Sequence, residues 1–143
     1  NAVEIAKQLG RRAILLTSDP VRSPGNSNII IKPYVDHGSL FPHCAAIVHQ
    51  GGAGSVARSL EAGKPQLIVP HATDQWDNAN RVVRLGVGLE LEARRFGVEA
   101  AVDRLRRILN DDAFVRTATD LAAKVRNEDG PAKAASTIEA LLS

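Results

Sequence analysis

The stretch Ala45-Ala46-Ile47-Val48-His49-Gln50-Gly51-Gly52-Ala53-Gly54-Ser55, continued by Arg58-Ser59-Leu60-Glu61-Ala62, decides how the rest of the chain is read. Four apolar residues, too few for an ordinary helix, run into three glycines within four positions and then into a segment that can propagate a helix. The pattern predicts buried strand, tight turn and helix. Such a turn is suited to an anion: glycine lets backbone approach a ligand, and the first amides of the next helix lack internal partners at the positive end of its dipole. A Gly-rich strand-to-helix turn can also do no more than pack the helix close to the sheet. His49 at the carboxyl end of the strand favours the phosphate reading, because an imidazole there can donate a hydrogen bond to a phosphate oxygen.

The chain's 143 residues and 44% hydrophobic content fit one domain with a core. Eighteen Lys and Arg against sixteen Asp and Glu leave a net charge of +2, too weak for a nucleic-acid reader. The basic residues, such as Arg11, Arg94 and Arg104, are scattered without interleaved aromatics, so no nucleic-acid partner is expected. A single cysteine, Cys44, allows no internal disulfide and reads as a small core residue. No apolar run approaches the roughly 18 residues of a membrane span and no signal-peptide pattern opens the chain, so a soluble, cytoplasmic protein is expected.

Outward from the central turn, strand and helix alternate. Ala2–Gly10 has helical periodicity with Val3, Ala6 and Leu9 on one face and Gly10 as its stop. Residues 12–17 and 28–31 read as buried strands separated by a Ser/Pro/Gly/Asn-rich loop. Leu40-Phe41 starts a short helical turn, residues 66–70 form a further strand, Asp77–Leu85 a helix, and residues 87–91 a final strand. The alternation predicts an α/β fold with a Rossmann-like parallel sheet covered on both faces. C-terminal helices follow, with stripes Val98/Val102/Leu105/Leu109, then Phe114/Ala118/Leu121/Val125 with Asp111 or Asp112 as N-cap, then Ala134/Ile138/Leu141/Leu142; all three stripes read as core. The chain opens inside a helix with no strand before it, so residues 1–143 are expected to be one domain taken from a longer polypeptide, lacking its first strand.

These residues carry a resemblance. Tyr34-Val35-Asp36, Leu40-Phe41-Pro42-His43-Cys44 leading into His49–Ser55, Glu61-Ala62-Gly63-Lys64-Pro65-Gln66 through Pro70, Asp74-Gln75 and Asn78-Ala79 are similar to the nucleotide-sugar half of family 1 glycosyltransferases. Bacterial macrolide, glycopeptide, sterol and rhamnolipid enzymes are the nearest in style. The resemblance implies one half of the two-domain GT-B fold. It implies that His49, Gly51, Gly52, Ala53, Gly54 and Ser55 bind the donor diphosphate. Tyr34 would stack on the base, the Val35 backbone would bond its edge, and Asp74 and Gln75 would take the sugar hydroxyls. Thr73 or Asp74 can alternatively be an N-cap of the next helix. The plant members' ribose-binding glutamate falls nine residues after His49, at Arg58, so no ribose contact is assigned.

The implied activity is hexose transfer from a nucleotide diphosphate sugar, a UDP-sugar first and a TDP-sugar second, to an acceptor hydroxyl with inversion. The family's general base is a histidine of an amino-terminal acceptor domain, to which nothing here corresponds, so no catalytic residue is assigned in this chain, which alone is expected to be inactive. His37 and His71 are loop residues near the site and His43 a surface residue. No paired histidines or carboxylates have metal spacing, so no cofactor or metal is expected. The acceptor domain lies in cis or on a partner chain. A non-catalytic nucleotide-sugar-binding subunit of a split enzyme and a GT-B nucleotide-sugar epimerase are the alternatives. An NAD domain fits less well, since Gly-x-Gly-x-x-Gly does not follow the first strand.

Overall fold

The computed structural model describes residues 2–19, 25 and 28–142. Most of the loop expected over residues 18–27 lies outside them. Helix α1 (Ala2–Leu9) is followed by strands β1 (Ala13–Leu16) and β2 (Ile29–Lys32), and then by α2 (His37–Leu40) with a 3-10 turn at Phe41–His43. Strand β3 (Ile47–His49), helix α3 (Ala53–Glu61), β4 (Gln66–Ile68), α4 (Thr73–Arg84) and β5 (Gly88–Glu90) complete the alternating part, before α5 (Val98–Asn110), α6 (Asp112–Arg126) and α7 (Gly130–Leu142). Every strand pair is parallel, as the α/β reading requires.

The strands form two sheets, β1-β2 and β3-β4-β5. In the second, β4 is central and its neighbouring residues point to opposite faces. Leu67 joins Ile5 of α1 and Val102, Leu105 and Ile108 of α5; Ile68 joins Ala79 and Val82 of α4 and Ala118 of α6. Both faces of that sheet are therefore covered, and its near-continuous apolar β4 is the sequence a doubly covered parallel strand needs. The smaller sheet is less well covered: Ile14 and Leu16 of β1, and Ile30 opposite Ile14 on β2, stay exposed, as does Val48 of β3.

Several boundaries differ from the sequence reading. α4 begins at Thr73, not at Asp77, which places Asp74 and Gln75 in its first turn. The short helix before Pro42 starts at His37, because Asp36 accepts from the Ser39 amide at 2.8 Å and hydroxyl at 2.9 Å and caps it. In α5 the buried stripe runs through Ala101, Val102, Leu105 and Ile108, with Val98 and Leu109 on its flanks. In α6 it is Phe114, Ala118 and Ala122, and Asp111 is the N-cap, accepting from Ala113 N–H at 2.9 Å. The α7 stripe is not core: Ala134, Ile138, Leu141 and Leu142 are all exposed. Periodicity there is real, but no element packs over it among the described residues.

Candidate functional site

The site is built at the carboxyl ends of β3 and β4. Gly51 leaves β3 with φ +96°, and a Cβ there would stand 2.8 Å from Ile68 Cγ2 and 3.1 Å from the Gln75 carbonyl oxygen. Only glycine fits so close to both strand and helix. Gly52 and Gly54 differ. A Cβ at Gly54 would meet nothing within 4 Å, and one at Gly52 only the Gln50 side-chain amide at 3.4 Å. Packing thus explains the first glycine of the turn and leaves open space in front of the other two.

That space faces unpaired donors. The first bond of α3 runs from Val56 N–H to Gly52 O at 3.0 Å, and no side chain caps the helix. The amides of Ala53, Gly54 and Ser55 precede that bond and have no acceptor among the described residues. They stand at the positive end of the helix dipole. Within the same helix Ser59, fully buried, donates its hydroxyl to Ser55 O at 2.8 Å.

The Gly51 peptide is gripped from two sides. Its N–H donates to His49 Nδ1 at 3.0 Å, and its carbonyl oxygen accepts from Asn78 Nδ2 at 2.9 Å. The other ring nitrogen of His49, Nε2, lies 2.9 Å from Gln66 Oε1. Both ring nitrogens are therefore engaged inside the protein, where the sequence suggested an outward-facing donor. Burial pulls the His49 pKa below the usual histidine value, the Gln66 bond opposes this, and the charge of nearby His37 adds to it. His37 itself stacks on Phe41, ring centroids 4.5 Å apart. His43 is exposed, while burial raises the Cys44 thiol pKa.

Asp74 and Gln75 sit beside this turn. Gln75, the third residue of α4, reaches back so that Oε1 accepts from His71 N–H at 2.8 Å and Ala72 N–H at 3.2 Å. The helix cap is thus supplied by Gln75 and neither by Thr73 nor by Asp74, whose carboxylate is exposed. The Gln75 amide nitrogen remains as a donor. A cleft of about 500 Å³ opens next to them, lined by Pro70, His71, Trp76, Glu92, Ala93 and Arg94. Tyr34 is 74% exposed and Val35 half-buried, in the segment between β2 and α2. Arg58 is exposed and bonded to Glu61 at 2.7 Å. Among the described residues no group of three His, Cys, Asp or Glu side chains converges on a metal site, and no helix is long and apolar enough to cross a membrane.

The sequence reading quoted three further members of this site among its motifs but gave them no role. Asp36-x-x-Ser39 is a readable cap signature. Gln66 is the polar residue in an otherwise apolar strand, which signals a buried partner. Asn78 shares a helix face with Gln75, at spacing i, i+3, but only once the helix is known to start at Thr73.

Comparison with known proteins bears on the family and the fold. Residues 17–141 match the family described as erythromycin biosynthesis protein CIII-like, C-terminal domain. The aklavinone 7-beta-L-rhodosaminyltransferase of Streptomyces galilaeus is 37% identical over 114 residues, which are 80% of this chain and 26% of that protein. Among solved structures, the spinosyn rhamnosyltransferase SpnG superposes with TM-score 0.82 and 26% identity over 96% of this chain and 39% of its own. The glycosyltransferase VinC, solved in complex with DTDP, gives TM-score 0.78 and 25% identity over 89% of this chain and 34% of its own.

Proposed function

The chain belongs to the erythromycin biosynthesis protein CIII-like C-terminal domain family of glycosyltransferases, and from that premise we propose that it holds the diphosphate of a nucleotide sugar at the glycine turn. The observation that carries this is the pairing of free α3 amides at Ala53, Gly54 and Ser55 with the vacant space before Gly52 and Gly54. Packing alone would not require glycine at those two positions. In this reading Gly51, His49 and Asn78 shape the cradle, and the amides of Gly52 to Ser55 bind the anion. His49 reaches a phosphate oxygen only if its Nε2 leaves Gln66.

Asp74 and the Nε2 of Gln75 take sugar hydroxyls at the start of α4, beside the cleft that Pro70, His71 and Trp76 help to line. Tyr34 and Val35 take the base. They join the cradle through α2, whose His37 is close enough to His49 to influence its proton affinity. A thymidine donor is supported by the DTDP-bound relative VinC, with a uridine donor as the other candidate.

The whole activity proposed is transfer of a hexose to an acceptor hydroxyl with inversion. A base on an amino-terminal acceptor domain deprotonates the hydroxyl, which displaces the diphosphate at the anomeric carbon. The α3 amides stabilise the charge growing on the leaving group, each by about 2.7–4 kcal/mol if they act as oxyanion donors do. The chain spans about a quarter of the length of the S. galilaeus relative, leaving room there for a domain of that kind. The exposed apolar residues of β1 and β3 also fit a sheet that continues through one more strand lying between them. Calorimetric titration with UDP, TDP, GDP, ADP and NAD tests the reading. Binding of UDP or TDP is expected, and a preference for NAD overturns it.

A further inference from the structure

We infer that Gln66 is a positioning residue of the diphosphate cradle: it accepts the Nε2 proton of His49 and so keeps that ring in the one neutral tautomer whose Nδ1 receives the Gly51 amide. The inference rests on the donor reading above for its consequence, although its geometry stands without a ligand. The Gly51 N–H can only donate, and it lies 3.0 Å from Nδ1, so Nδ1 must be bare. A neutral imidazole then carries its hydrogen on Nε2. The atom 2.9 Å from Nε2 must accept it, which assigns the Gln66 carbonyl oxygen, not its amide nitrogen, to that contact.

The choice of glutamine is informative. Gln66 is fully buried, and its Nε2 has no hydrogen-bond partner among the described residues. A leucine or methionine would occupy a similar volume on β4 without an unpaired amide. What the glutamine adds at this position is its bond to His49, seventeen residues away on the neighbouring strand. The groups facing His49 are Gln66 from β4, the Gly51 amide from the turn and His37 from α2; none is a carboxylate, and burial outweighs the Gln66 bond, the one contact among them that favours the imidazolium. Orientation of the ring therefore descends from one buried side-chain amide, and through the ring Gln66 shares with Asn78 the hold on Gly51.

Nitrogen-15 NMR of the histidine ring in the 143-residue chain tests this first without any substitution. The expected signature for His49 at neutral pH is a protonated Nε2 and a bare Nδ1; a protonated Nδ1 overturns the inference. Gln66→Leu is expected to lose the single tautomer while keeping a folded amide spectrum. It is also expected to bind TDP about 10–100-fold more weakly, by analogy with loss of the group that orients a metal-bound histidine. Unchanged ring shifts together with unchanged TDP affinity sink the proposal. Gln66→Glu places a carboxylate on Nε2 and is expected to move the His49 titration, and with it the pH profile of TDP binding, upward; an unmoved titration counts against the contact. If the unaltered chain binds no nucleoside diphosphate, the donor reading fails, while the tautomer result still decides whether Gln66 orients His49.

Discussion

The side-chain amide of Asn78 donates to the carbonyl oxygen of Gly51 at 2.9 Å, tying helix α4 to the glycine turn across 27 positions of chain. Asn78→Ala removes the donor and leaves a carbonyl of a buried glycine without its partner. An expected loss of about 1–3 kcal/mol in unfolding free energy follows, measured by urea denaturation. Asn78→Asp, which offers no donor, is expected to destabilise at least as much. Weaker TDP binding should accompany both, because the peptide that leads into the α3 amides is then held only by His49.

Gly51 and Gly54 separate packing from ligand binding. Gly51→Ala forces a methyl to within 2.8 Å of Ile68 Cγ2 at a φ of +96°, so overpacking and left-handed strain together should cost on the order of 2–5 kcal/mol. Gly54→Ala meets nothing within 4 Å, and removing a helical glycine should leave stability unchanged or raised by about 0.5–1 kcal/mol. Its methyl nonetheless enters the proposed phosphate space, so diphosphate affinity should fall. A Gly54→Ala protein that melts no lower and binds TDP as before would place the anion elsewhere.

The strand-turn-helix from Ile47 to Glu61 was readable because its signals are local: a short apolar run, clustered glycines and a helix-compatible tail. The start of α4 was readable only as an alternative, with Thr73 or Asp74 as N-cap, since Thr73-Asp74-Gln75 is polar and the cap comes from Gln75 folding back on His71 and Ala72. The direction of the His49 ring was also hidden, because it depends on Gln66, a partner brought near only by the pairing of β3 with β4. The α7 stripe misled for a related reason. Periodicity states which residues share a face, while burial depends on what lies opposite, and Leu141 and Leu142 face nothing among the described residues.

Stability should depend on pH through His49. Its native pKa lies below the ordinary value of 6.5 because the ring is buried. Above that value the ring is neutral in both the folded and unfolded chain and its contribution is fully present. As pH falls below it the unfolded chain binds a proton that the folded chain refuses, so stability declines until the native ring is protonated too, and then levels. Urea midpoints taken between about pH 8 and pH 5 should reveal this slope. In His49→Gln the part of the slope due to this ring should vanish; an identical slope would show that the ring does not titrate as its burial requires.

Asp74 and Gln75 should separate in a way that identifies the sugar subsite. Gln75→Ala takes the acceptor from the His71 and Ala72 amides and so frays the start of α4, at an expected cost of about 0.5–2 kcal/mol, the range for a lost helix cap. Asp74 is exposed and caps nothing, so Asp74→Asn should change stability by no more than about 0.5 kcal/mol. Ligand titrations should show the reverse ordering of specificity. Asp74→Asn is expected to bind TDP as the unaltered chain does and to bind a TDP-hexose more weakly, because in the proposed reading only the sugar hydroxyls meet the carboxylate. Gln75→Ala should weaken both ligands, since the Gln75 backbone also packs against Gly51. Equal loss of TDP and TDP-hexose in Asp74→Asn would move the carboxylate from the sugar to the diphosphate, and no loss of either would remove it from the site.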